Sequence, residues 1–292
     1  LKYLMIGVCV LFAGLTYARI PVWKNSVSLW TDIIEKDPTA ADAFTNRGQF
    51  YESTGENDKA FLDFSESIKL QPNKPGGYHN RSVSYFNRKD FANALKDNQK
   101  VLDIDPKHTD ALVNRGDIFF NIDQNDSAIF YYKKALEVTP GFAKANFDCG
   151  ATYLKMKNYQ AAAECFKSAT ETIHDYVDAY TYLALSYIHL NKIEEAQLAI
   201  NAAEKYVPNS AARTLASNEL IQMGNQTYRE GKTDEALELY IQSARIMPNN
   251  PESYFNMGGI YLMKKNMTLA RENWQKTVNL NPNHTEAKSW LA

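Results

Sequence analysis

Cysteine is scarce in this chain: Cys9, Cys149 and Cys165 are the three in 292 residues. Three thiols cannot build a disulfide framework, so packing must hold the fold together. The five histidines, His79, His108, His174, His189 and His284, are scattered, with no Cys or His at ligand spacing. That pattern carries no metal cluster, and no cofactor is expected. A Gly-rich phosphate loop is missing, and no Ser/His/Asp set can be assembled, so nothing points to catalysis within these residues. Charge of one sign is missing too: 32 Lys and Arg against 34 Asp and Glu leave a net charge of −2. Basic residues are dispersed, which excludes a nucleic-acid groove. Long apolar runs are absent apart from one, Tyr3 to Ala18.

Prolines are few but regularly placed. Pro38, Pro72, Pro106 and Pro140 stand 34 residues apart; the next step lands on His174 and the next on Pro208. Pro248 follows 40 later and Pro282 another 34 after that. A sustained period of this length signals a solenoid of stacked units. With the closing proline at position 32, Ala41 is position 1. Position 8 is then small in every copy (Gly48, Ser82, Gly116, Gly150, Ala184, Gly224, Gly258) and position 20 is always Ala. These two positions are expected to face each other where two antiparallel helices touch. Position 11 is mostly aromatic, and position 24 is mostly large (Phe64, Tyr132, Phe166, Ile200, Tyr240, Trp274), with Asn98 departing. A glycine turn is expected between the helices, and the proline ends the second helix because it lacks an N–H and disfavours helix in the residue before it.

This joint pattern resembles the tetratricopeptide repeat family. The resemblance implies an all-α fold, a right-handed superhelix of antiparallel helix pairs, with seven copies over residues 41–282 and a short terminal cap helix over 283–292. Residues 21–40 read as a half repeat, with Trp30 at position 24 and Pro38 at position 32. Residues 1–20 read as a transmembrane helix; a signal peptide cleaved after Thr16-Tyr17-Ala18 and a buried core helix are the alternatives. Leu1 is not an initiator Met, so a fragment of a longer protein is expected. The stretch from the apolar run through ARIPVWKNSVSLWTDIIEKDP also resembles the junction in polytopic membrane O-mannosyltransferase-like proteins with C-terminal tetratricopeptide repeats. That family's catalytic loop lies near its first spans, so no catalytic residue carries over.

Copies one to three share Asn-Arg at positions 6 and 7: Asn46-Arg47, Asn80-Arg81 and Asn114-Arg115. An Arg at a usually apolar position needs a partner, and Asp63 and Asp97 at position 23 are the candidates, within the repeat or with the next helix. In copy four the same two positions hold Cys149 and Cys165. An oxidising compartment would allow a disulfide there; two buried thiols are the alternative. The six extra residues before copy six are expected to lengthen its first helix, capped by Asn209 or Ser210, or to break the stack.

In known members position 6 points to the concave face. Here it holds Asn46, Asn80, Asn114, Asp148, Tyr182, Gln222 and Asn256. An Asn amide both donates and accepts, so a row of them suits a peptide backbone. The row is similar to the Asn ladder of O-GlcNAc transferase repeats; merely tolerated polar residues on an exposed helix are the alternative. Acidic residues at position 2 (Asp42, Asp110, Asp178, Glu252) argue against a chaperone-tail clamp. The function expected is a membrane-attached scaffold for an extended protein or peptide, the substrate-holding part of a glycosyltransferase-like protein on the non-cytoplasmic side. A stand-alone anchored or exported scaffold for envelope assembly is the alternative.

Overall fold

A computed structural model describes residues 2–19, 22 and 24–292. Among them the chain forms α-helices and no strand. It divides into two compact units, Leu1–Pro140 and Gly141–Ala292. The first unit holds α1 (Lys2–Arg19), α2 (Ser26–Lys36), and the pairs α3 (Ala41–Ser53) with α4 (Asn57–Leu70), α5 (Pro75–Asn87) with α6 (Phe91–Ile104), and α7 (Thr109–Asn121) with α8 (Asn125–Val138). In the second unit α9 (Ala143–Lys155) pairs with α10 (Tyr159–Thr172), α11 (Val177–His189) with α12 (Ile193–Tyr206), and α13 (Ala212–Arg229) with α14 (Thr233–Ile246). The pair α15 (Pro251–Met263) and α16 (Met267–Leu280) follows, and α17 (Thr285–Leu291) closes the unit.

The period is visible in the helix lengths. First helices have 13 residues and second helices 14, except α13 with 18. The turn between them is the same in every copy. The position-16 N–H donates to the position-11 carbonyl, as from Glu56 to Tyr51 at 2.8 Å, and the position-15 N–H donates to position 12, as from Lys89 to Phe86 at 2.8 Å. This is a Schellman closure, which puts position 15 in the left-handed region. The expected glycine stands there only in Gly55 and Gly231; Lys89, Asp123, Lys157, Asn191 and Lys265 adopt φ between 56° and 60°. The two hydrogen bonds hold a conformation that costs an L-residue about 1–2 kcal/mol.

The glycines at position 8 meet first the position-24 ring of the same copy, a neighbour additional to the position-20 residue expected to face them; at Gly48 and Ser82 the position-20 carbonyl is also in reach. A Cβ added to Gly48 would lie 2.6 Å from Phe64 Cε1 and 3.2 Å from the Ala60 carbonyl; at Gly116 it would collide with the Tyr132 ring. The two copies that carry a side chain at position 8 carry no ring at position 24: Ala184 goes with Ile200 and Ser82 with Asn98. The Ser82 hydroxyl uses the space to donate to the Ala94 carbonyl at 2.9 Å. Position-20 alanines are fully buried throughout, Ala60, Ala128 and Ala236 among them.

Two expectations at the ends of helices are corrected. The lengthened α13 forms, but its N-cap is Ala211 with no side-chain cap bond, not Asn209 or Ser210. Asn209 is left-handed, with φ 59°. The extra turn instead places Arg213, which donates to Glu204 at 2.8 Å on α12 and to the Ile246 carbonyl at 2.7 Å at the end of α14. Second, a transmembrane helix is expected over residues 1–20, but among the described residues no helix is long and apolar enough to cross a membrane. The 18-residue α1 is about 27 Å long, and its uncharged stretch is shorter still, against a hydrocarbon core of about 30 Å. Residues 21–40 contain α2, capped by Asn25, whose Oδ1 accepts from the Ser28 N–H at 2.9 Å.

Candidate peptide-binding surface

In the first unit the position-7 arginines are structural. Arg47 grips Asp63 of its own copy with two bonds of 2.8 Å and reaches back to Thr31 Oγ1 on α2 at 3.1 Å. Arg81 repeats this with Asp97 at 2.6 and 3.0 Å, and with Ser65 on α4. The hydrogen-bonded carboxylates push both guanidinium pKa values up. Each Arg therefore rivets its own pair and the helix before it. In copy three position 23 is Tyr131, and Arg115 lies over that ring at 5.0 Å and donates to Asn98 Oδ1 at 3.3 Å. Asn98 also donates to the Ala111 carbonyl at 2.8 Å. The two departures from the pattern, Asn98 and Tyr131, thus serve one arginine.

Beside these rivets lie the position-6 amides. Asn46 and Asn80 are half-buried and Asn114 is 9% exposed. Their hydrogen-bonding capacity is almost unspent. Asn46 makes no side-chain hydrogen bond among the described residues, Asn80 receives only a 3.5 Å contact from Gln49 Nε2, and the buried Asn114 Oδ1 has no partner. Buried or half-buried amides are normally paired.

The second unit does not continue the row in the same chemistry. Asp148 is paired with Lys144 at 2.6 Å, one turn earlier on α9. Tyr182 stacks on Phe166 with ring centroids 5.7 Å apart and meets Phe147 edge-on at 5.8 Å. Asn256 is half-buried with an uncommitted amide, and it lines a cavity of about 490 Å³. Tyr228, Phe255, Met263, Trp274 and Trp290 are among its lining residues. Tyr240 also lines it: its hydroxyl donates to Asn225 Oδ1 at 2.7 Å, and burial pushes its pKa up to about 12. Sequence reasoning missed this cavity. The signal was available in Trp290, which falls at position 6 of the truncated copy after Pro282, the register of Asn256. Of the two cysteines that replace the Arg and Asp of the earlier copies, Cys149 is buried and Cys165 half-buried. No group of His, Cys, Asp and Glu able to hold a metal occurs among the described residues.

The repeat geometry agrees with comparison to known proteins. The family described as "Tetratricopeptide repeat" matches residues 41–74, 75–108, 109–142 and 143–172, and that described as "TPR repeat" matches residues 224–265. These spans take in more than half of the chain. The chain belongs to the tetratricopeptide-repeat family. Among solved structures, the C-terminal part of a TPR repeat-containing protein from Cytophaga hutchinsonii is similar at 15% identity and TM-score 0.59, over 85% of this chain and 99% of that one. The pilF protein of Pseudomonas aeruginosa follows at 16% identity and TM-score 0.56, over 73% and 95%. The Cut9-Hcn1 hetero-tetramer of the APC/C gives 18% identity and TM-score 0.50 over 91% of this chain; the chain spans about half of that relative, 51%. At such identities the shared property is the fold. The tetratricopeptide matches begin at residue 41, so the resemblance of residues 3–38 to membrane mannosyltransferases has no counterpart in them.

Proposed function

We propose that this tetratricopeptide-repeat chain is a non-catalytic scaffold that holds an extended polypeptide by its backbone, with Asn46, Asn80 and Asn114 as the grips. The observation that carries the reading is their unspent hydrogen bonds in one register of three successive copies. A peptide backbone offers one donor and one acceptor per residue, which matches an amide that gives and takes. The neighbouring Arg–Asp rivets support it, because they fix α3 and α5 without using the amides. Changing the three residues together to Ala is expected to weaken capture of unstructured synthetic peptides by about ten- to hundredfold, at roughly 1 kcal/mol per hydrogen bond, with the circular dichroism spectrum unchanged. Unaltered affinity in a folded variant would remove the reading.

We further propose that α1 attaches the chain to an apolar surface, with the repeats on the non-cytoplasmic side of a membrane, as part of a larger glycosyltransferase-like protein or as an anchored scaffold; the exposure of α1 supports the attachment alone. Every described side chain of α1 is exposed, including Met5, Val10, Leu11 and Phe12. A helix this apolar and uncovered calls for a lipid or protein cover.

A further inference from the structure

The cavity of the second unit differs from the amide row in the kind of group it would accept. Its volume of about 490 Å³ falls in the range of ligand pockets, roughly 300–1,000 Å³. Its wall includes five aromatic rings and the Met263 thioether, beside Ile260 and Leu262. Trp274 and Trp290 stack at 5.2 Å, and the Tyr228 hydroxyl donates to Met263 Sδ at 3.0 Å. Met263 and Trp290 are exposed. Among the described residues no acidic side chain lines the cavity, and the one charged lining residue is Arg229. Arg229 is exposed, forms no ion pair among the described residues, and sits near enough to Tyr240 to favour its phenolate. Glu230, its sequence neighbour, is turned to Gln226 and Lys232. The Asn256 amide is uncommitted at the same wall.

We propose that this cavity is a side-chain pocket for an extended peptide carrying a bulky aromatic residue next to a carboxylate. The proposal rests on the reading of the first-helix face as a peptide holder and adds its specificity. The aromatic ring enters between Met263, Phe255 and Trp290, where ring–ring and sulfur–ring contacts favour it over an aliphatic group. Asn256 engages the adjoining backbone. The unpaired charge of Arg229 draws the carboxylate, so the complementary partner is acidic beside its anchor.

The test uses the full chain and three acetylated, amidated Gly/Ser peptides with a central Phe-Asp, Ala-Asp or Phe-Lys pair. Two of the four tryptophans line the cavity, so intrinsic fluorescence reports its occupancy alongside calorimetry. The Phe-Asp peptide is expected to bind about ten- to hundredfold more tightly than Ala-Asp, the loss expected for an unburied ring. It should bind about fivefold more tightly than Phe-Lys, by a margin that shrinks with salt. Arg229→Glu is expected to invert the Asp/Lys preference and leave the Phe/Ala ratio in place. Met263→Glu is expected to reduce that ratio. The variant with Asn46, Asn80 and Asn114 changed to Ala separates the two readings. If it weakens all three peptides by a common factor while the wild-type Phe/Ala ratio is near one, the pocket is overturned and the amide reading stands. If it changes nothing while the ratio persists, the pocket stands and the amide reading falls. A fluorescence response to decanoate with none to any peptide overturns the proposal in favour of an acyl-chain site.

Discussion

At the scale of single residues, position 8 and position 24 behave as one choice. Where the second helix supplies a ring, the first helix supplies a glycine; where it supplies Ile200 or Asn98, Ala184 or Ser82 fits. The smallness of position 8 is legible in the sequence, but the ring's part in it is not, because the ring stands sixteen residues away in the chain. Gly116→Ala is expected to destabilise by about 1–3 kcal/mol, since the methyl must displace Tyr132. An ordinary exposed helical glycine would instead gain about 1 kcal/mol on the same change. Urea unfolding decides between them, and a stabilised Gly116→Ala would contradict the packing account. The Arg–Asp rivets show the same limit. The residue types and the positions 7 and 23 are readable, yet only the folded pair shows that each bridge closes within its own copy and reaches Thr31 or Ser65 on the helix before.

At the scale of elements, boundaries follow local chemistry closely. The proline at position 32 leaves an extended residue before it, as at Asp105 and Asn281. In copy four His174 replaces it, and Ile173 still ends α10 in the extended region. The inter-helix turn needs no glycine because two backbone bonds enforce it. α13 is longer because the six added residues carry Arg213, whose bonds to α12 and α14 exist only in the assembled unit. The element least settled by its own neighbours is α1, whose described side chains are all exposed. On the apolar-cover reading, the full chain is expected to float with lipid vesicles and a variant lacking residues 1–20 to stay in solution. Equal distribution of the two would assign the cover of α1 to protein instead.

At the scale of the whole molecule, each unit is a stack in which a helix pair meets mainly its neighbours, so stability is a sum of local contributions. The two units carry different acid sensitivities. In the first, His79 stacks on His108 with centroids 5.1 Å apart, and its Nδ1 is buried without a partner. Burial chiefly, and His108 next, lower its pKa from the ordinary 6.5, with Asp110 acting the other way. The unfolded chain then binds the proton more readily. The stability is full above 6.5 and is lost as pH falls toward the lowered folded value. In the second unit hydrogen bonds from Arg213 and His189 lower the pKa values of Glu204 and Glu219 from the ordinary 4.5. That stability is present above 4.5 and is lost only as pH falls through the lowered values. Hydrogen exchange along a pH series is expected to show protection falling first in residues 41–140. His79→Val, which places there the residue that Val113 supplies in the same register of the next copy, is expected to delay that loss. Simultaneous loss in both units would count against the assignment.

The sequence by itself determined the repeat length, the helix pairs and the positions that must be small, apolar or capped. Those depend on spacing along one or two helices, and a 34-residue phase repeats them often enough to be read. Tertiary structure decided which side chains spend their hydrogen bonds and which keep them. It left the Asn46, Asn80 and Asn114 amides almost unused and gathered Tyr228, Met263 and Trp290 around one cavity. Those outcomes depend on distances between residues from different copies, which packing sets and linear order does not encode.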